Sequence, residues 1–96
     1  MTMFSDRERA YEQVFVNQQD EEFRRKTRRN RRFAQWVGRK LALSDKEEAI
    51  YVDNMVAYGV LQDDKSLIDK AWEDFQRAHL PVDKGDLARQ LEMSQN

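Results

Sequence analysis

The chain has no cysteine, one proline, three glycines and a single histidine among 96 residues. Without cysteine there is no disulfide scaffold and no thiolate zinc site, and the composition fits a reducing compartment. One histidine with no cysteine near it makes no transition-metal site either. So few helix breakers, with charged residues at 36% of the chain, point to helices joined by short connections and away from β-structure. Apolar runs are only a few residues long, and the N-terminus shows no basic region followed by an apolar stretch. Neither a membrane span nor a secretory signal is expected, and the expectation is a cytoplasmic protein. Gly38, Gly59 and Gly85 are isolated, which excludes a phosphate-cradling loop of the P-loop or dinucleotide type. No nucleophile, base and orienting acid are specified by any motif, so no enzymatic activity and no cofactor are expected.

What is present is charge, unevenly placed. Residues 1–40 carry eleven basic and six acidic side chains, whereas residues 41–96 carry six basic and twelve acidic ones. The halves stand at +5 and −6 within a net charge of −1, so they can attract each other or steer a partner.

Helical periodicity and caps divide the chain into an arm and a bundle. The spacing predicts a long helix from about Asp20 to Leu41, with Phe23, Thr27, Asn30, Ala34, Val37 and Leu41 on its core face. Asn30, if buried there, needs a hydrogen bond and would fix helix register. Ser44-Asp45-Lys46-Glu47 is a capping box opening a helix over about 45–60, with Ala49, Val52, Met55, Val56 and Gly59 as its buried stripe. Asp63-Asp64 supplies the next N-cap, followed by Leu67, Ile68, Ala71, Trp72 and Phe75 on one face, and Pro81 is expected to end that helix. Asp83 caps a short fourth helix buried through Leu87, Ala88 and Leu91, with Val82 and Leu87 as a hydrophobic staple. The expected fold is all-α: a small four-helix bundle over residues 20–96 with a separable N-terminal helical or disordered arm over residues 1–19.

The arm carries its own signals. Ser5-Asp6-Arg7-Glu8 is a first capping box, and Phe4, Tyr11 and Phe15 follow at helical spacing. Their stripe is rotated by roughly 80 to 100° from the core face of the next helix, and the polar Asn17-Gln18-Gln19 separates the two. Burying each ring contributes roughly 1.5–3 kcal/mol, while ordering each backbone residue costs roughly 1–2 kcal/mol. Three rings alone do not order such a segment. A deep interface that also satisfies Asp6, Arg7, Glu8, Arg9 and Glu12 does, which is the logic of a segment that folds on binding a protein. The bland reading is that the arm extends the first helix and covers the bundle.

Arg24-Arg25-Lys26-Thr27-Arg28-Arg29-Asn30-Arg31-Arg32 places seven cations in nine positions. Such a run suggests nucleic acid, yet on the wheel most of these cations fall opposite the core face, where they form a solvated or acid-paired surface. Arg24, Arg25, Arg28, Arg29, Arg31 and Arg32 are thus the candidate face for an anionic ligand. A nucleic-acid-binding or scaffolding module using residues 24–32 is the alternative reading. The acidic isoelectric point, near 5.8, weighs against it. Trp36 lies at the edge of this face, where a cation–π contact with Arg32 is geometrically possible, but the expected role is packing under a neighbouring helix.

Phe4 with Asp6-Arg7-Glu8-Arg9-Ala10-Tyr11-Glu12 and Phe15, then Arg28-Arg29-Asn30, Trp36 and Lys40-Leu41-Ala42-Leu43, resembles the alphaproteobacterial ATPase inhibitor zeta subunit of F-type ATP synthase. The resemblance covers nearly the whole chain and is most specific up to Leu43. It implies a four-helix protein whose N-terminal arm inserts at a catalytic interface of the synthase head and blocks rotation in the hydrolysis direction. It further implies a regulatory subunit peripheral to the membrane-bound synthase and monomeric when free. Nucleotide binding is associated with the family, but no motif in this chain supplies a pocket for it.

Overall fold

A computed structural model describes residues 20–95 of the protein. The expected arm, residues 1–19, with its capping box and its candidate binding residues, lies outside the described residues. Four helices follow in order: α1 (Asp20–Lys40), α2 (Asp45–Leu61), α3 (Asp64–Arg77) and α4 (Lys84–Met93). Each packs on the next, and α4 returns to α1. The described residues form an all-α four-helix bundle.

The helix starts follow from side-chain chemistry. The Ser44 hydroxyl accepts from the Glu47 amide at 3.2 Å while the Ser44 amide donates to the Glu47 carboxylate at 3.1 Å, so both halves of the capping box form. Asp63 accepts from the Ser66 amide at 2.9 Å and starts α3. That amide is the main reason the exposed Asp63 carboxyl titrates below the ordinary carboxylate range. Asp83 stands at the N-cap of α4 but makes no side-chain cap bond. Its carbonyl alone accepts, from the amides of Asp86 and Leu87.

Two helix ends share one unusual solution. After α1, Ala42 donates to the Arg39 carbonyl and Leu43 to that of Gly38; after α3, His79 donates to Gln76 and Leu80 to Phe75. Both are Schellman turns. The residue in the left-handed position is Ala42 in one and His79 in the other, each at φ 61°, where glycine is the usual choice. α3 therefore ends at Arg77, before Pro81: the turn at Ala78–Leu80 stops the helix and the proline only follows it.

The core is Phe33, Ala34 and Val37 from α1, Val52 and Met55 from α2, Leu67, Ala71 and Phe75 from α3, and Leu87 and Leu91 from α4. Trp36 joins it from the side, stacked on Phe33 and edge-on to Phe75, with centroids 6.4 and 6.1 Å away. The packing under neighbouring helices is as expected, and Lys40 places its ammonium 5.7 Å from the ring centroid. Trp72, also half-buried, holds the Lys84 ammonium 4.7 Å from its ring centre. Three expectations change, and one core residue goes beyond them. Phe33 is fully buried although it lies beside the expected wedge, because α1 is covered by α2 on one flank and α4 on the other. Ala49 on α2 and Ala88 on α4 are exposed, since three-element packing leaves each of those helices a narrower contact stripe. Phe23 is 51% exposed.

Gly59 explains how closely α1 and α2 approach. A Cβ there would overlap the side-chain amide of Asn30, which is itself buried. Asn30 keeps its place because Arg29 donates twice to its Oδ1, at 2.9 and 3.1 Å. The buried amide thus sits against Gly59, and the hydrogen bonds to its Oδ1 come from its own helix.

Candidate partner-binding site

Of the expected binding residues, Phe4, Asp6, Arg7, Glu8, Arg9, Tyr11, Glu12 and Phe15 lie outside the described residues. What the structure describes is the platform from which that segment emerges. Its described part carries the acids Glu21 and Glu22 early in α1, and its apolar periodicity begins at Phe23.

Phe23 points in the direction of the core wedge yet remains half-exposed, and the geometry says why. α1 and α2 run antiparallel, with Gly59 opposite Asn30. α2 ends two residues further on, at Leu61, so the first two turns of α1 extend past its helical end. Among the described residues, the shallow groove beside Phe23 is lined by Glu21, Phe23, Arg24, Thr27, Arg28 and Arg31 of α1. Sequence periodicity assigns a face to a residue; it does not say where the neighbouring helix stops.

The basic run divides at the same level. Arg29, with its side chain 11% exposed, donates to both carboxylate oxygens of Asp64 at 2.6 and 3.1 Å. Arg31 lies 3.5 Å from Asp53, and Arg32 donates to the Ser94 carbonyl at 3.4 Å. Further along, Arg39 meets Glu48 at 3.8 Å. Cations of the positive half thus hold acids of the negative half across helix boundaries, and the charge asymmetry is used inside the fold. Among the described residues, Arg25, Lys26 and Arg28 make no such pair. The run is therefore no unbroken cationic stripe of the kind a polynucleotide needs. A cleft of about 660 Å³ beside it mixes Arg25, Lys26, Arg29 and Lys65 with Glu22, Asp63 and Asp64, so its cations are answered by nearby acids.

Sequence reasoning missed two polar anchors. It placed Asp63-Asp64 only as a cap, whereas Asp64 is the partner of Arg29; the opposite charges of the two halves were the available signal. It also gave no hint of Tyr51, whose hydroxyl donates to the Asp74 carboxylate at 2.7 Å. Lys70 and Arg77 flank the same carboxylate at 3.3 and 3.6 Å. Burial first, then the hydrogen bond to Asp74 and its negative charge, push the Tyr51 phenol far above its ordinary range. This network ties α2 to α3 and offers no reactive group. His79, exposed at the end of α3, serves through its backbone. No described helix is long and apolar enough to cross a membrane. Among the described residues no cluster of histidine and acidic side chains has the makings of a metal site.

No curated protein and no solved structure matches the chain. One family model does, that of ATPase inhibitor subunit zeta, and it spans residues 1–96. Matched over its whole length, and with the helical platform described above, the chain belongs to the ATPase inhibitor subunit zeta family.

Proposed function

We propose that the protein is a regulatory, non-enzymatic subunit that binds the catalytic head of F-type ATP synthase. In this reading residues 1–19 insert as a helix at a subunit interface and inhibit ATP hydrolysis. The observation that carries the reading is the family match over residues 1–96. It is supported by the described core: Phe33, Met55, Phe75 and Leu87, one from each helix, are fully or almost fully buried, which makes residues 20–95 a platform that can carry a binding segment.

The mechanism is steric. Phe4, Tyr11 and Phe15 are the apolar anchors, and Asp6, Arg7, Glu8, Arg9 and Glu12 satisfy polar groups around them. A helix held between subunits blocks the closure and rotation that hydrolysis requires, and no chemistry is asked of it. The bundle stays outside as the stop that prevents the arm from passing further. The protein then works in the cytoplasm, at the periphery of the membrane-bound synthase, as a monomer when free and without a cofactor.

ATP hydrolysis by the purified head, with the full chain and with a chain beginning at Asp20, tests this. Inhibition by the first and none by the second is the expected result. Equal rates with both remove the inhibitory claim.

A further inference from the structure

We propose that the contact with the ATPase head does not stop at the arm but continues onto the first two turns of α1, where Phe23 and Arg28 dock against an acidic surface with an apolar socket. The inference rests on the inhibitory reading above and adds a second contact to it.

Three observations converge on this patch. Phe23 is the first apolar residue of α1 and is 51% exposed, although its angular position is that of Ala34 and Val37, both fully buried. Among the described residues it is left uncovered because α2 ends at Leu61 and no described helix reaches the opening turns of α1 on that side. An isolated exposed aromatic needs no explanation, but this one shares its groove with three cations, Arg24, Arg28 and Arg31, and with one acid among the described residues, Glu21. Arg28 is exposed and, unlike Arg29 and Arg31, has no acid of the bundle to hold.

Charge decides the class of occupant. A ring that shares its groove with guanidinium groups fits a surface that is apolar at its centre and acidic at its rim, the arrangement in which an aromatic anchor and rim charges cooperate. A second copy of this chain would bring cation against cation at the same patch. Position decides which acidic surface. Phe23 is three residues beyond the start of α1, about 4.5 Å along the helix axis at the usual rise, so whatever receives the end of the arm lies beside it. The acidic surface is therefore on the head itself, at the mouth of the crevice the arm enters. In this arrangement Phe23 contributes to residence time and Arg28 to the rate of encounter.

The test is the affinity of the purified head for the full-length chain, measured by calorimetry at low and moderate salt. It compares wild type, Phe23→Ala, Arg28→Glu and, as a charge control on the opposite end of the α1–α2 pair, Lys46→Glu. Phe23→Ala is expected to weaken binding about tenfold, as an interface anchor does. Arg28→Glu should weaken it by a similar factor and flatten its salt dependence, while Lys46→Glu changes neither and all four proteins melt alike. Wild-type affinity in both Phe23→Ala and Arg28→Glu would overturn this inference and leave the arm reading intact. Tighter binding by Phe23→Ala would overturn it too, since Phe23 would then be holding the arm back. A wild-type chain that does not bind the head would overturn both readings together.

Discussion

The two halves of α1 are built from the same residue types and are used differently. From Arg29 onward the helix is a structural strut: Phe33, Ala34 and Val37 are fully buried, and Arg29, Arg31, Arg32 and Arg39 each bind a group elsewhere in the fold. Before Arg29 the same alternation of apolar and basic residues leaves Phe23 half-exposed and Arg28 facing solvent. The difference lies in the partner, because α2 accompanies the second half and ends beside the first. Composition therefore does not separate a stabilising surface from a binding surface here; the length of the neighbouring helix does.

The two phenylalanines break the comparison most sharply. Phe33→Ala should destabilise the bundle by about 3–5 kcal/mol, the cost of a large cavity in a packed core. Phe23→Ala should stay within about 1 kcal/mol, as surface changes do, and denaturant melts of both variants check this. The arginines repeat the contrast on a smaller scale. Arg29→Ala strips both donors from the buried Asn30 carbonyl and the partner from Asp64, which should cost about 2 kcal/mol. Arg28→Ala should change stability by less than about 0.5 kcal/mol.

Tyr51 sharpens the picture of the bundle as the stable partner of the pair. Tyr51→Phe removes a hydrogen bond to a charged acceptor, and about 1.5 kcal/mol should go with it at neutral pH. Because the folded phenol titrates above its unfolded value, the contribution is intact below about pH 10 and is lost as pH rises beyond that. Alkaline unfolding should therefore be steeper in the wild type than in Tyr51→Phe. A smaller gain is expected from Ala42→Gly: relieving the left-handed alanine should stabilise the fold by about 0.5–1 kcal/mol. The smallest effect is at Asp63. Its folded pKa is depressed, so its contribution is present above the unfolded carboxylate value and is lost as pH falls through the folded one. In Asp63→Asn, melting temperature should fall less between about pH 5 and pH 3.

Much of this fold was legible in the sequence, for identifiable reasons. The Ser44 capping box and the Asp63 cap are local chemistry written in adjacent residues, and both formed. The Leu67–Ala71–Phe75 stripe gave α3 directly. Phe23, Ala49 and Ala88 were misplaced and Phe33 was overlooked because a wheel treats a helix as endless and its neighbour as a single wall. The end of α3 was misread because proline is a conspicuous stop signal, whereas the Schellman turn around His79 uses a residue with no such signature. The Tyr51–Asp74 contact spans two helices and leaves no trace in either one. The family was recognisable through the resemblance of residues 4–43 to its known pattern, and the family model matches residues 1–96. The roles of Phe4, Tyr11 and Phe15 belong to the proposed mechanism.

Amide hydrogen exchange across the whole chain, free and bound to the purified ATPase head, reaches the central claim most directly. The account predicts rapid exchange over residues 1–19 in the free protein, slow exchange in the bundle, and strong protection of residues 1–19 once the head is bound. Protection of residues 1–19 in the free protein equal to that of α1 from Phe33 to Val37, unchanged on adding the head, would contradict it.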